Sequence, residues 1–147
     1  MQVEISRALL RCTRLDGSVT WQKQKERNAQ FFVVHDLTHI AVERELGFHR
    51  GFFGLIAEGW EIEDTTRNLP AEALEVERLV GAFVTEFGSG AVWTPAEFNG
   101  SSGATRQLTN DELESVRTLR DELLAEWRAI GEDGKLMLVF TPPSPSP

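Results

Sequence analysis

The sequence predicts an α+β domain. A small antiparallel sheet, built from an N-terminal hairpin plus a C-terminal strand, would pack against three or four helices. Three observations carry this expectation. Asp16-Gly17 lies between segments that alternate apolar and polar residues, which is a hairpin signal because tight hairpin turns need positive φ. Segments following Pro70 and Thr109 place apolar residues at helical spacing and end at glycines. Near the C-terminus, Asp133-Gly134 turns the chain into KLMLVF, a run with strand character.

Within residues 2–24, Val3, Ile5 and Leu9 occupy odd positions of the hairpin. A two-residue turn at Asp16-Gly17 sets Cys12 opposite Trp21 and Arg14 opposite Val19. Cys12 is then expected to be a packed thiol rather than a nucleophile, since no histidine is near it in sequence. Residues 28–46 read as a helix stopped by Gly47. Two starts fit the residues: Asn28 capping a long helix, or Asp36 capping a short one with Phe31–Val34 extended before it. The apolar stretch FHRGFFGLIAEGW, with glycines at 51, 54 and 59, fits a short buried helix or a tight loop. It lacks the lysine and spacing of a phosphate-binding loop.

An acidic connection, WEIEDTTRN, leads into a helix with Pro70 near its first turn and Gly88 at its end. Its apolar stripe is Leu74, Leu79, Val80, Phe83, Val84 and Phe87. Residues 88–108 read as loop with one helical turn at Thr94–Glu97, and NGSSGAT (99–105) has the composition of a flexible connection. Thr109 to Glu112 form a capping box. The helix they open carries Leu113, Val116, Leu123, Leu124, Trp127 and Ile130 on one side and stops at Gly131. Residues 1–141 are expected to form one domain, and the tail PPSPSP (142–147) to be disordered.

Fifteen basic against 23 acidic residues give a net charge of −8, which disfavours nonspecific binding to nucleic acid or anionic membranes. No apolar run approaches the length of a membrane span, and MQVEISRALLRC lacks the features of a signal peptide. With one cysteine and hence no intramolecular disulfide, the expectation is a cytoplasmic protein. A small-molecule or peptide substrate and a homo-oligomer are both compatible with these features.

The chemistry concentrates in HDLTHIAVE, residues 35–43. All three histidines, His35, His39 and His49, lie in or just beyond it. At about 100° per residue, with His35 as zero, His39 falls at about 40°, Glu43 at about 80° and Asp36 at about 100°. Two imidazoles one turn apart are the arrangement by which one helix offers two ligands to a metal ion. The expected site is a divalent metal, zinc by ligand type, held by His35 and His39 with Glu43 or His49 as third ligand. An open fourth position would hold water, and Asp36 or Glu43 would accept its proton in metal-assisted hydrolysis. Glu43 could instead be a partner of a ligand, and Asp36 could orient a histidine. Glu75 and Glu77 follow in the next helix, where only one can face inward; an inward glutamate opposite His39 would be a natural third ligand.

The H-x-x-x-H spacing of His35 and His39 resembles the H-E-x-x-H helix of zincin metallopeptidases, over five residues and with Asp36 where that motif has glutamate. The resemblance implies ligand roles for His35 and His39. The longer string HDLTHIAVERELGFHRGFFGLIAEGW is similar to small bacterial proteins of uncharacterised function that share H-D-L-x-H-x-x-V-E-x-x-L-G. It implies a shared module over about a quarter of the chain, without an activity. A His-Asp doublet also marks metal-dependent phosphohydrolases, but those need an upstream histidine and none precedes His35.

A second expectation belongs to another class: a noncatalytic binding or assembly module in which the histidine helix is structural. Phe48, Phe52, Phe53 and Trp60 would then form an interface if exposed, and core or pocket wall otherwise. Glu58, Glu61, Glu63 and Asp64 could donate oxygen ligands, though such a run is more often a solvated connection. His49-Arg50 could bind an anionic group.

Overall fold

A computed structural model describes residues 1–24, 29–131 and 133–143. Strands β1 (Gln2–Ile5), β2 (Leu9–Thr13), β3 (Val19–Lys23) and β4 (Leu136–Val139) form one antiparallel sheet in the order β3-β2-β1-β4. Helices α1 (Ala29–Glu45), α2 (Phe52–Glu58), α3 (Ala71–Ser89), α4 (Pro95–Ser102) and α5 (Asn110–Ala129) complete the α+β fold. A 3₁₀ turn, Ile62–Thr66, links α2 to α3. The C-terminal strand does return to the N-terminal strands. Phe140 N–H donates to the Met1 carbonyl at 2.8 Å, and the Met1 amino group donates to the Phe140 carbonyl at 3.0 Å.

The N-terminal segment holds three strands rather than one hairpin, and the predicted pairing is off by one residue. Cys12 faces Thr20, Arg11 faces Trp21 and Thr13 faces Val19. The connection is a three-residue loop closed by Gly17 at φ +85°, with Arg14 N–H donating to the Ser18 carbonyl at 2.9 Å. That is a turn followed by a left-handed bulge residue, not the two-residue turn expected. A slip of one residue changes faces. Cys12 is fully buried whereas Trp21 is 58% exposed.

Arg14, freed from the ladder, turns inward. Its guanidinium donates to the carbonyls of Ile56 and Trp60, both at 2.6 Å, at the C-terminal end of α2. A cation there complements the helix dipole and satisfies exposed carbonyls.

Helix α1 begins before His35, so Asp36 is not its N-cap; Asn28 lies outside the described residues. Residues 36–43 of α1 are all buried. One side of the helix supports the sheet through Val33, Leu37 and Ile40 against Val3, Ile5, Leu10 and Phe140. Its other side joins Ala41 and Val42 to a second cluster with Val76, Leu79, Phe83, Phe98, Leu113 and Val116. A helix enclosed on several sides must find partners for every polar side chain it carries. That requirement creates the site described below.

Two helical expectations change. Leu74, assigned to the α3 stripe, is 43% exposed, and Ala73 and Val76 face inward instead. The 88–108 loop contains α4, which continues past Thr94–Glu97 to Ser102. Thr94 and Glu97 form a capping box, Phe98 buries its ring 4.5 Å from that of Phe83, and Asn99 exchanges hydrogen bonds with Leu108. Packing thus orders a segment whose composition reads as flexible. The capping box at Thr109 and Glu112 forms as predicted. Of the Pro/Ser tail, residues 144–147 lie outside the described residues, while the Pro143 carbonyl accepts from His49 Nδ1 at 2.8 Å. Among the described residues no helix is long and apolar enough to cross a membrane.

Candidate metal centre

The site begins with His39, whose side chain is fully buried at the junction of α1, α2 and α3. Its Nδ1 lies 3.1 Å from Glu43 Oε2, one turn along α1. Its Nε2 lies 3.2 Å from Glu77 Oε1 of α3. That second approach has the distance of an ion pair but not the angle of a hydrogen bond, so Nε2 makes no hydrogen bond among the described residues. His35, the preceding turn of α1, brings its ring centroid to 4.7 Å from that of His39. One donor atom each from His35, His39 and Glu77 lies within 4.8 Å of the others, so these three form a group that could hold a metal ion.

Burial and exposure are unequally distributed. His39 has no solvent contact, whereas the side chains of His35 and Glu77 are 31% and 40% exposed. The group therefore has a closed inner side and an open outer side. Phe52 of α2 closes the inner side, 5.3 Å from the His39 ring, and Phe31 stacks on His35 at 6.1 Å.

Each histidine also meets a carboxylate at Nδ1. Asp36 Oδ1 stands 3.5 Å from His35 Nδ1, while Asp36 Oδ2 accepts from Gln24 Nε2 at 3.2 Å. Glu43 has no solvent contact; Oε1 accepts from Gly54 N–H at 3.0 Å and Oε2 from Phe53 N–H at 3.2 Å. Burial, the largest single influence on His39, disfavours its charged form, but the Glu43 and Glu77 carboxylates together outweigh it and raise the imidazole to about 9. For Glu77, burial pushes upward, and the His39 contact and charge overcome it, holding the carboxyl below its ordinary value.

Of the residues singled out from the sequence, the structure brings together His35 and His39. It does not bring Asp36, Glu43 or His49 into the three-residue group. Glu43 and Asp36 sit at the Nδ1 atoms, and His49 lies beyond the end of α1, its N–H donating to Glu72 and its ring meeting Pro143. Glu77 supplies the carboxylate. Glu75 instead accepts from the backbone N–H groups of Thr105 and Arg106 at 2.7 and 3.2 Å. Sequence periodicity cannot choose between them: with Val76 as zero, Glu77 falls at about 100° and Glu75 at about 260°, flanking the apolar stripe on opposite sides. Glu58 pairs with Arg50, and Glu61 approaches Arg14 at 3.7 Å, so these two members of the acidic run serve other contacts.

No known protein family, curated protein or solved structure matches this chain.

Proposed function

We propose that this is a metal-binding protein in which His35, His39 and Glu77 hold a divalent cation. The single observation that carries the reading is the fully buried Nε2 of His39, which makes no hydrogen bond among the described residues although it stands 3.2 Å from the Glu77 carboxylate with a second imidazole alongside. A buried nitrogen that makes no hydrogen bond costs about 1–3 kcal/mol unless a charge contact offsets it, and a cation at Nε2 would supply the missing bond. Two imidazoles and one carboxylate suit zinc among the divalent ions. The carboxylates at both Nδ1 atoms match the outer partners that orient metal-ligating histidines.

The activity that best fits such a centre is metal-assisted hydrolysis of a small molecule or peptide. A divalent ion there would supply Lewis-acid polarisation and activation of water. The partly exposed side at His35 and Glu77 would admit a substrate, while Phe52 excludes water from the inner side. Asp36 and Glu43, each already against an imidazole, would orient ligands rather than accept a proton from the open side.

One observation favours a noncatalytic reading. A His39 imidazolium between Glu43 and Glu77 would tie α1, α2 and α3 together without any metal. Elemental analysis of tag-free wild type and His39→Ala after incubation with zinc at neutral pH separates the two. The metal-centre reading expects one zinc per chain in wild type and none in the variant. Absence of zinc from both, or equal loading of both, would leave the structural histidine as the reading to keep.

A further inference from the structure

Glu43 does more than face a histidine. Its oxygens take donors from two different helices: the His39 imidazole on α1, and the N–H groups of Phe53 and Gly54 in the first turn of α2. The first turn of any helix leaves N–H groups without intrahelical partners, and these are usually satisfied by a capping side chain just before the helix. Helix α2 has none, because its N-cap is Gly51. A carboxylate from α1 takes that place. The approach is so close that a Cβ at Gly51 would overlap the Glu43 side chain, and one at Gly54 would overlap the His49 carbonyl. Gly51 thus makes room for the buried carboxylate, and Gly54 for the backbone carbonyl of His49 beside it.

The same carboxylate fixes the His39 ring. With Glu43 accepting at Nδ1, the hydrogen that a cation would displace is the one on Nε2, which leaves that nitrogen's lone pair for the ion on the side of Glu77 and His35. Opening the first turn of α2 would release Glu43, and releasing Glu43 would free the ring. A ligand that needs the ring fixed therefore also favours the closed first turn.

We infer that Glu43 is a positioning residue that couples the metal centre to helix α2, so that a cation at His39 Nε2 suppresses opening of the first turn of α2. The inference rests on the metal-centre reading above and adds a mechanical consequence to it. Among the described residues Asp36 makes no such link to a second helix, its other hydrogen bond coming from the Gln24 side chain.

The test is amide hydrogen exchange on the full chain with and without saturating zinc, read at Phe53 and Gly54. The reference amide is Trp93, which is held by a different carboxylate, Glu86. Zinc should slow exchange at Phe53 and Gly54 by about tenfold or more and leave Trp93 much less changed. Ring-nitrogen NMR of the zinc-loaded protein should show His39 coordinated through Nε2 with the hydrogen on Nδ1. Glu43→Gln should lower zinc affinity by about 10–100-fold and remove the selective slowing. Should that variant not fold, the two wild-type measurements still decide the matter. Zinc uptake with equal effects at all three amides, or coordination through Nδ1, overturns the coupling and leaves the metal centre standing. No zinc uptake by wild type overturns the metal centre, and the coupling with it.

Discussion

Two buried carboxylates in this protein have nearly the same surroundings and different consequences. Glu86 on α3 accepts from Trp93 N–H at 2.9 Å and from two nitrogens of Arg117 on α5. Glu43 on α1 accepts from the N–H groups of Phe53 and Gly54 and meets His39. Both trade desolvation for backbone donors and one cationic or polar side chain. The Glu86 cluster ends where it began, because Arg117 turns a remaining N–H to the Trp93 carbonyl at 2.9 Å. The Glu43 cluster does not close. The second nitrogen of His39 passes the contact on to Glu77 and His35, and its hydrogen-bonding capacity stays unused. A buried carboxylate whose two oxygens are both taken by a guanidinium and a backbone donor is a latch, whereas one whose partner keeps a nitrogen free of hydrogen bonds beside two further donor groups has the form of a site.

The largest way to break this comparison is to open the latch. Arg117→Ala leaves Glu86 buried without its guanidinium and should cost about 3–5 kcal/mol in urea unfolding, with zinc stoichiometry unchanged. Loss of zinc together with stability would mean that the two clusters are one unit.

Next in size is pH. His39 in the metal-free fold is raised from an ordinary 6.5 to about 9. Its contribution is fully present below the unfolded value and is lost as pH rises through the folded one. Metal-free wild type should therefore lose on the order of 3 kcal/mol between about pH 6 and about pH 9.5, and His39→Gln should show a flatter profile. Equal slopes in the two proteins would remove His39 from the account.

Gly54→Ala sharpens the role of the glycine seat. The added methyl meets the His49 carbonyl, so overpacking of about 1–3 kcal/mol is expected, with weaker zinc binding by calorimetry because the Glu43 contact shifts. Tight zinc binding in a destabilised variant would separate the seat from the site. The smallest effect belongs to Glu75→Ala. It removes a partly exposed contact to the 105–106 backbone, so the loss should stay under about 1 kcal/mol with zinc affinity intact. A loss of affinity there would show that the choice of Glu77 over Glu75 is mistaken.

Much of the fold was legible because its signals are local. The capping box at Thr109 and the helical turn at Thr94–Glu97 need only residues three apart, and Asp16-Gly17 needs only its own turn. The register was not legible, because one added loop residue leaves the hairpin signal intact while moving Trp21 to solvent and Arg14 to the end of α2. Helix α4 was missed beyond its first turn because Phe98 and Asn99 find their partners on Phe83 and Leu108.

The candidate site divides in the same way. That His35 and His39 share a helix face follows from spacing four apart once the helix forms, and that is a property of the sequence by itself. So is the acidic, single-cysteine composition. Tertiary structure decided the rest. It selected Glu77 over Glu75 through the rotation of α3 against α1, and it turned Glu43 away from the group by setting the N-terminus of α2 against it. The physical reason is that both choices depend on how one helix is rotated and placed against another. Side chains from all the packed elements set that placement together, and no local window of sequence contains it.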